Sequence, residues 1–133
     1  MTFMTFTKSF LPVIRRYWLA CTAILLVAIT CLSLWPNESL PSVPGGDKTH
    51  HLIAYAALVF PVALRRPKSW RFIVILFIAC SGLIELVQPF MNRYGEWLDM
   101  VANITGLSLG VVFAEVVRRW EAVKKGEEFL ADK

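Results

Sequence analysis

Asp47-Lys48-Thr49-His50-His51 opens an apolar run that continues over residues 52–64, and the reading of this junction decides the fold. Asp47, His51 and Tyr55 recur every four residues, so on a helix their side chains share one face. The strictly apolar part is too short to cross a hydrocarbon core, which takes about 20 residues of helix. Its polar first turns must therefore sit at or just inside a membrane interface. Two later stretches repeat the arrangement: Glu85 and Gln88 close one apolar run, and Asp99 and Asn103 open another.

Composition points the same way. The 133 residues are 56% hydrophobic and only 18% charged, with a mean hydropathy of +0.56, which is a membrane profile. At about 20 residues per span the chain has room for roughly four spans and for no separate soluble domain. Cys21, Cys31 and Cys80 all lie inside apolar runs, which excludes a disulfide framework and a cysteine zinc site of usual spacing. They read as packing residues.

Outward from the central stretch, the chain divides into the expected spans. Phe3, Phe6, Phe10 and Ile14 have the spacing of a short interfacial helix, although Pro12 argues against its continuity. Arg15 and Arg16 precede a first span over 17–35, aromatic at both ends. It is longer than a signal-peptide core and no A-x-A-like cleavage site follows it, so a retained span is expected. Residues 36–46, rich in proline and glycine, form a loop, and Asp47 is placed to cap a second span over 47–64. Arg65, Arg66, Lys68 and Arg71 crowd the next connection. A third span over 71–88 carries Gly82 and Glu85 on one face and stops at Pro89. A fourth, over 97–117, places Asp99, Asn103, Gly106 and Gly110 on one stripe. The glycines allow close approach of a neighbouring span of the same chain, and a homodimer is the less favoured use of the same stripe. Residues 118–133 form a charged tail in which Arg119 lies one turn beyond Glu115.

The expected architecture is thus an all-α integral membrane bundle of four transmembrane helices. Of the 14 Lys and Arg residues, all but Lys48 and Arg93 fall before the first span, between the second and third, or in the tail. This asymmetry predicts cytoplasmic N- and C-termini and an outward-facing polar cluster. The same distribution explains the basic balance without nucleic acid, because these charges flank spans.

The residues also carry a resemblance. D-K-x-x-H-x-x-x-Y over 47–55, E-x-x-Q over 85–88, Arg93, and D-x-x-x-N-x-x-G over 99–106 together resemble the pattern of VanZ-like membrane proteins. The match covers 46–110, and only His51 of the doubled His50-His51 falls in the family's register. The resemblance implies a small bacterial protein of about four transmembrane helices in the cytoplasmic membrane. The family is named for a member associated with resistance to the glycopeptide teicoplanin, and it supplies no established reaction.

Three chemistries compete for the cluster. As an enzyme, Asp47 would orient His51 as general base, Lys48 and Arg93 would hold an anionic head group, and Glu85 or Asp99 would serve as a second acid or base. As a binding site, the same residues with Tyr55, Gln88 and Asn103 would recognise a lipid head group or envelope glycan without turnover. As a metal site, His51 would join the three carboxylates, but Lys48 and Arg93 oppose a cation, and no bound metal or other cofactor is expected. A purely structural reading, in which the charges lock helix ends together, stands beside all three. Nothing resembling G-x-S-x-G or a phosphate loop occurs.

The charge asymmetry is directly testable. In a cysteine-free background, Ser42→Cys and Asn92→Cys should react with a membrane-impermeant thiol reagent in intact cells, and Ser69→Cys should not. Labelling at Ser69 alone would reverse the orientation.

Overall fold

The structure is a computed structural model that describes residues 3–36 and 46–131, with side chains from residue 9 onward in the first segment. Among the described residues every regular element is helical. They are α1 (Phe3–Arg16), α2 (Trp18–Leu34), α3 (Asp47–Arg65), α4 (Trp70–Val87) and α5 (Trp97–Ala131), with a 3-10 turn over Gln88–Met91. The loop expected over 36–46 and the last residues of the tail lie largely outside the described residues.

α3 is the central helix. Tyr55, Leu58, Val59 and Val62 are buried and pack with Ile29 of α2, Phe77 of α4 and Leu107 of α5. Its main partner is α5, because the α5 face turned toward it is almost bare. A Cβ on Gly106 would run into the Leu52 carbonyl, and one on Gly110 into the Ala56 carbonyl and the Val59 side chain. Without a Cβ at either position the two backbones meet nearly directly, the small-residue packing by which helices associate in lipid. Further along, Ala63 and Ala114 continue the seam beside Leu64 and Val117.

The outer surface is apolar. Ile24 of α2, Ile75 of α4 and Val112 of α5 are about three-fifths exposed or more, at 69%, 61% and 59%. Buried residues include Asp99, Asn103, His51, Ser81 and Gln88. An apolar exterior, with buried polar side chains enclosed beside an apolar core, departs from the usual arrangement in water and suits hydrocarbon surroundings. Two helices are long and apolar enough to cross a membrane, Trp70–Met91 and Trp97–Ala131. A third joins them if Ser9–Arg16 and Trp18–Leu34, bent by 81°, are one broken span. α3 carries Asp47, Lys48 and Arg65 within its 19 residues, and its apolar side chains are spent on the bundle interior.

Several local expectations change. α1 runs unbroken through Pro12, whose ring is exposed, while Leu11 is buried against the C-terminal end of α3 and the middle of α5. The break comes at Tyr17, where α1 and α2 diverge, so α1 lies across the end of the bundle. Asp47 is the first helical residue of α3 and Gly46 is its N-cap, with no side-chain cap bond. The carboxylate of Asp47 still lies at the positive end of the helix dipole. α5 continues through most of the supposed tail to Ala131. At 1.5 Å per residue its 35 residues reach about 52 Å, well beyond a hydrocarbon core of about 30 Å. The extension is fastened by charge pairs. Glu115 meets Arg66 at 2.7 Å, Arg118 at 3.0 Å and Arg119 at 3.0 Å, and Glu121 pairs with Arg15 of α1. The bundle therefore has a basic end, opposite the end that carries His51 and Asp99.

The close seam predicts opposite outcomes for two glycine substitutions. Gly110→Val should lower the detergent melting temperature by an amount corresponding to about 1–3 kcal/mol of overpacking. Gly126→Ala, where an added Cβ meets nothing within 4 Å, should raise stability by up to about 1 kcal/mol.

Candidate functional site: the polar end of the bundle

The α3–α5 seam brings His51 against Asn103, and their geometry organises the site. Asn103 is 1% exposed. Its Nδ2 donates to Ser81 Oγ of α4 at 2.7 Å, which leaves Oδ1 facing His51 Nδ1 at 2.9 Å. An amide oxygen only accepts, so Nδ1 must carry the proton and donate. Ser81 Oγ donates onward to Met100 Sδ at 3.3 Å. A three-helix relay, Ser81–Asn103–His51, thus holds the imidazole in one orientation.

The other face of that imidazole looks at Asp99. His51 Nε2 stands 3.9 Å from Asp99 Oδ2, too far for a hydrogen bond. Asp99 is 2% exposed, and its Oδ1 is buried without a hydrogen-bond partner. The nearest cation is Lys48, whose Nζ is 3.7 Å from that oxygen. Lys48 makes its shorter contact, 2.7 Å, with Glu96 Oε2 on the loop before α5. Asp47, at the head of α3, completes the cluster: Asp47, His51 and Asp99 each offer a ligand atom within 4.8 Å of the others.

Glu85 lies on the α4 side. Both of its carboxylate oxygens are buried and make no hydrogen bond of good geometry among the described residues, with the Glu96 backbone, Asp99 and His51 as its electrostatic neighbours. It lines a cleft of about 700 Å³ together with Gly82, Gly95, Glu96, Trp97 and Met100. Gly95 makes this geometry feasible, since a Cβ there would stand 2.6 Å from the Glu85 carbonyl oxygen. The loop can therefore cross tightly over the last turn of α4 and deliver Glu96 to Lys48.

Two expected ligand-binding residues are turned elsewhere. Gln88 is buried and donates from Nε2 to the Ser33 carbonyl at 3.1 Å. Arg93 donates from Nη1 to the carbonyls of Leu32 and Trp35 at 3.1 and 3.3 Å, and its Nη2 only approaches Asp47, at 4.0 Å. Both side chains satisfy carbonyls at the C-terminal end of α2, where a positive charge is also favourable. They position α2 beside the site. Asp47 does not orient His51 through Nδ1, because Asn103 occupies that position.

Ser81 and Glu96 were not singled out by sequence reasoning. For Ser81 a signal exists: Ser81, Glu85 and Gln88 follow at steps of four and three, one face of a helix. Glu96 lies in a short loop, where no periodicity marks it.

A second cavity shares no lining residue with the Glu85 cleft and extends from the turn after His51 to Ile14 of α1. It is apolar, of about 740 Å³, and runs along α3 from Leu52 and Ile53 to Pro61, with Leu25 and Phe113 among its walls. No family model, curated protein or solved structure matches the chain.

Proposed function

We propose that the chain is a four-span, VanZ-like protein of the bacterial cytoplasmic membrane, with both termini cytoplasmic. Its outward polar end binds the polar head group of a lipid-linked envelope molecule. The observation that supports this reading is a set of buried carboxylate oxygens without hydrogen-bond partners at the polar end of a bundle that also carries an apolar groove along α3. Glu85 and Asp99 present buried oxygens that make no hydrogen bond among the described residues, and the groove begins at Leu52 and Ile53, next in sequence to His51. A ligand with hydroxyls or other donors at its head and an acyl or prenyl chain behind it fits both parts. The α2 and α4 ends, tied by Gln88 and Arg93, flank the same site.

Orientation is supported by the separation of charges. Arg15, Arg66, Arg118 and Arg119 gather around Glu115 and Glu121 at one end, and the cluster stands at the other. With basic flanks on the cytoplasmic side, the cluster faces outward, where envelope precursors and glycopeptides such as teicoplanin are met.

Catalysis is the second reading, favoured by one observation: a fixed imidazole with its Nε2 turned toward a buried carboxylate is the arrangement of a general base with an acid partner. The structural lock fits less well. Only Lys48–Glu96 makes a close ion pair here, and the Lys48–Asp99 and Arg93–Asp47 separations are 3.7 and 4.0 Å. Glu85 has no cation in contact among the described residues. Burying a charge without a partner is costly, about 2.5–3.5 kcal/mol on insertion scales at the bilayer centre, and a lock would not leave it so.

Nearly isosteric substitutions separate these readings. Glu85→Gln and Asp99→Asn should leave the detergent melting temperature unchanged or raised, since each removes an uncompensated buried charge. Wild-type protein extracted from bacterial membranes should carry a lipid detectable by mass spectrometry, and the same variants, and His51→Gln, should lose it. Unfolding of all three would establish the lock instead, and stable variants that retain the same lipid would refute a head-group site.

A further inference from the structure

We infer that His51, Asp99 and Asp47 form a binding site for one divalent cation of the Zn²⁺ or Mn²⁺ class. The argument begins at Asn103. Because its amide is held by Ser81, His51 is compelled to donate through Nδ1, so the neutral imidazole carries its lone pair on Nε2. That lone pair faces a carboxylate oxygen at 3.9 Å. Two electron-rich atoms directed at each other across a gap repel unless a cation lies between them. Ligand bonds of about 2.0–2.2 Å from nitrogen and oxygen to one ion span such a separation. Asp47 supplies a third ligand atom within 4.8 Å of both. A histidine that donates its far N–H to a fixed carbonyl is also the usual support for a metal-bound imidazole.

Charge balance removes the objection raised by the two cations. Glu96, contributed by the loop, takes the short contact with Lys48, and Arg93 spends its Nη1 on α2 carbonyls. Four carboxylates, Asp47, Glu85, Glu96 and Asp99, then face two cations, leaving two negative charges at the end of the bundle. A divalent ion neutralises them. Asp99 is 2% exposed; its Oδ1 makes no hydrogen bond among the described residues and stands 3.7 Å from Lys48 Nζ, while Oδ2 is the oxygen that faces His51 Nε2. One nitrogen and two hard oxygens suit zinc or manganese better than magnesium or copper(I). Three protein ligands leave positions open for an oxygen of a bound molecule.

The inference does not depend on the head-group reading, and its test needs no lipid. Full-length chain in detergent, stripped with chelator, is titrated with Mn²⁺ and examined by electron paramagnetic resonance and pulsed ¹⁴N-coupling measurements. The expected result is one ion per chain, with coupling to a histidine nitrogen that disappears in His51→Gln. Asp99→Asn should weaken binding at least tenfold while melting as wild type does. Bound Mn²⁺ without nitrogen coupling would overturn the site, and that measurement requires no variant to fold. So would failure of the folded wild-type chain to bind either Mn²⁺ or Zn²⁺ at millimolar concentration.

Discussion

The direct contact of the α3 and α5 backbones is the constraint on which the rest depends. Gly106 and Gly110 admit Leu52 and Ala56 at a distance no side chain would allow. One turn earlier on α5 and one residue earlier on α3, that approach sets Asn103 against His51 and leaves Asp99 on the Nε2 side of the imidazole. Were the seam a side chain wider, the hydrogen bond at 2.9 Å would be lost and the relay to Ser81 would hold nothing. Packing in the apolar middle of the bundle thus fixes the chemistry at its polar end.

The energetic arrangement is uneven by design of the sequence. Along most of its length the bundle gains from close packing of Val, Leu, Ala and Gly, and its exterior asks nothing of water. At the basic end, charges are paired and solvent-accessible, a low-cost use of ions that also fastens α1 and the extension of α5. At the other end, Asp99 and the half-buried Glu85 hold buried carboxylate oxygens that make no hydrogen bond among the described residues. Carboxylate oxygens cost more to leave without a hydrogen bond than the few neutral buried atoms that also lack one, such as Thr22 Oγ1 and Gln88 Oε1, so this end retains an unfavourable arrangement that a ligand can relieve.

How much of this could be read from the sequence follows from periodicity. The stripe Asp99, Asn103, Gly106, Gly110 and the trio Asp47, His51, Tyr55 are helical repeats, and apart from the exposed head residue Asp47 every one of these side chains is buried. Composition alone indicated a helical membrane chain. What escaped was contact between elements. That Asn103, not Asp47, holds His51 depends on the rotation of α5 against α3, which spacing within either helix does not specify. Gln88 and Arg93 resembled ligand-binding groups because their partners are backbone carbonyls of α2, and a carbonyl leaves no mark in a sequence. Glu96 was hidden by its loop, and so the excess of negative charge was underestimated. Pro12 was overweighted: an exposed proline in a helix lying across the bundle end costs little that solvent or a head-group layer cannot supply.

The central claim is that Ser81 and Asn103 fix the imidazole so that its Nε2 lone pair is offered to Asp99. Nitrogen-15 NMR of the histidine side chain reports this directly. The chain has two histidines, so the spectrum is recorded on metal-free, ¹⁵N-histidine-labelled protein carrying His50→Gln, in mildly alkaline detergent solution. The account predicts a neutral ring protonated at Nδ1 with a bare Nε2. An Nε2–H tautomer with a bare Nδ1 would mean that Asn103 does not hold His51 as described, and would contradict the account.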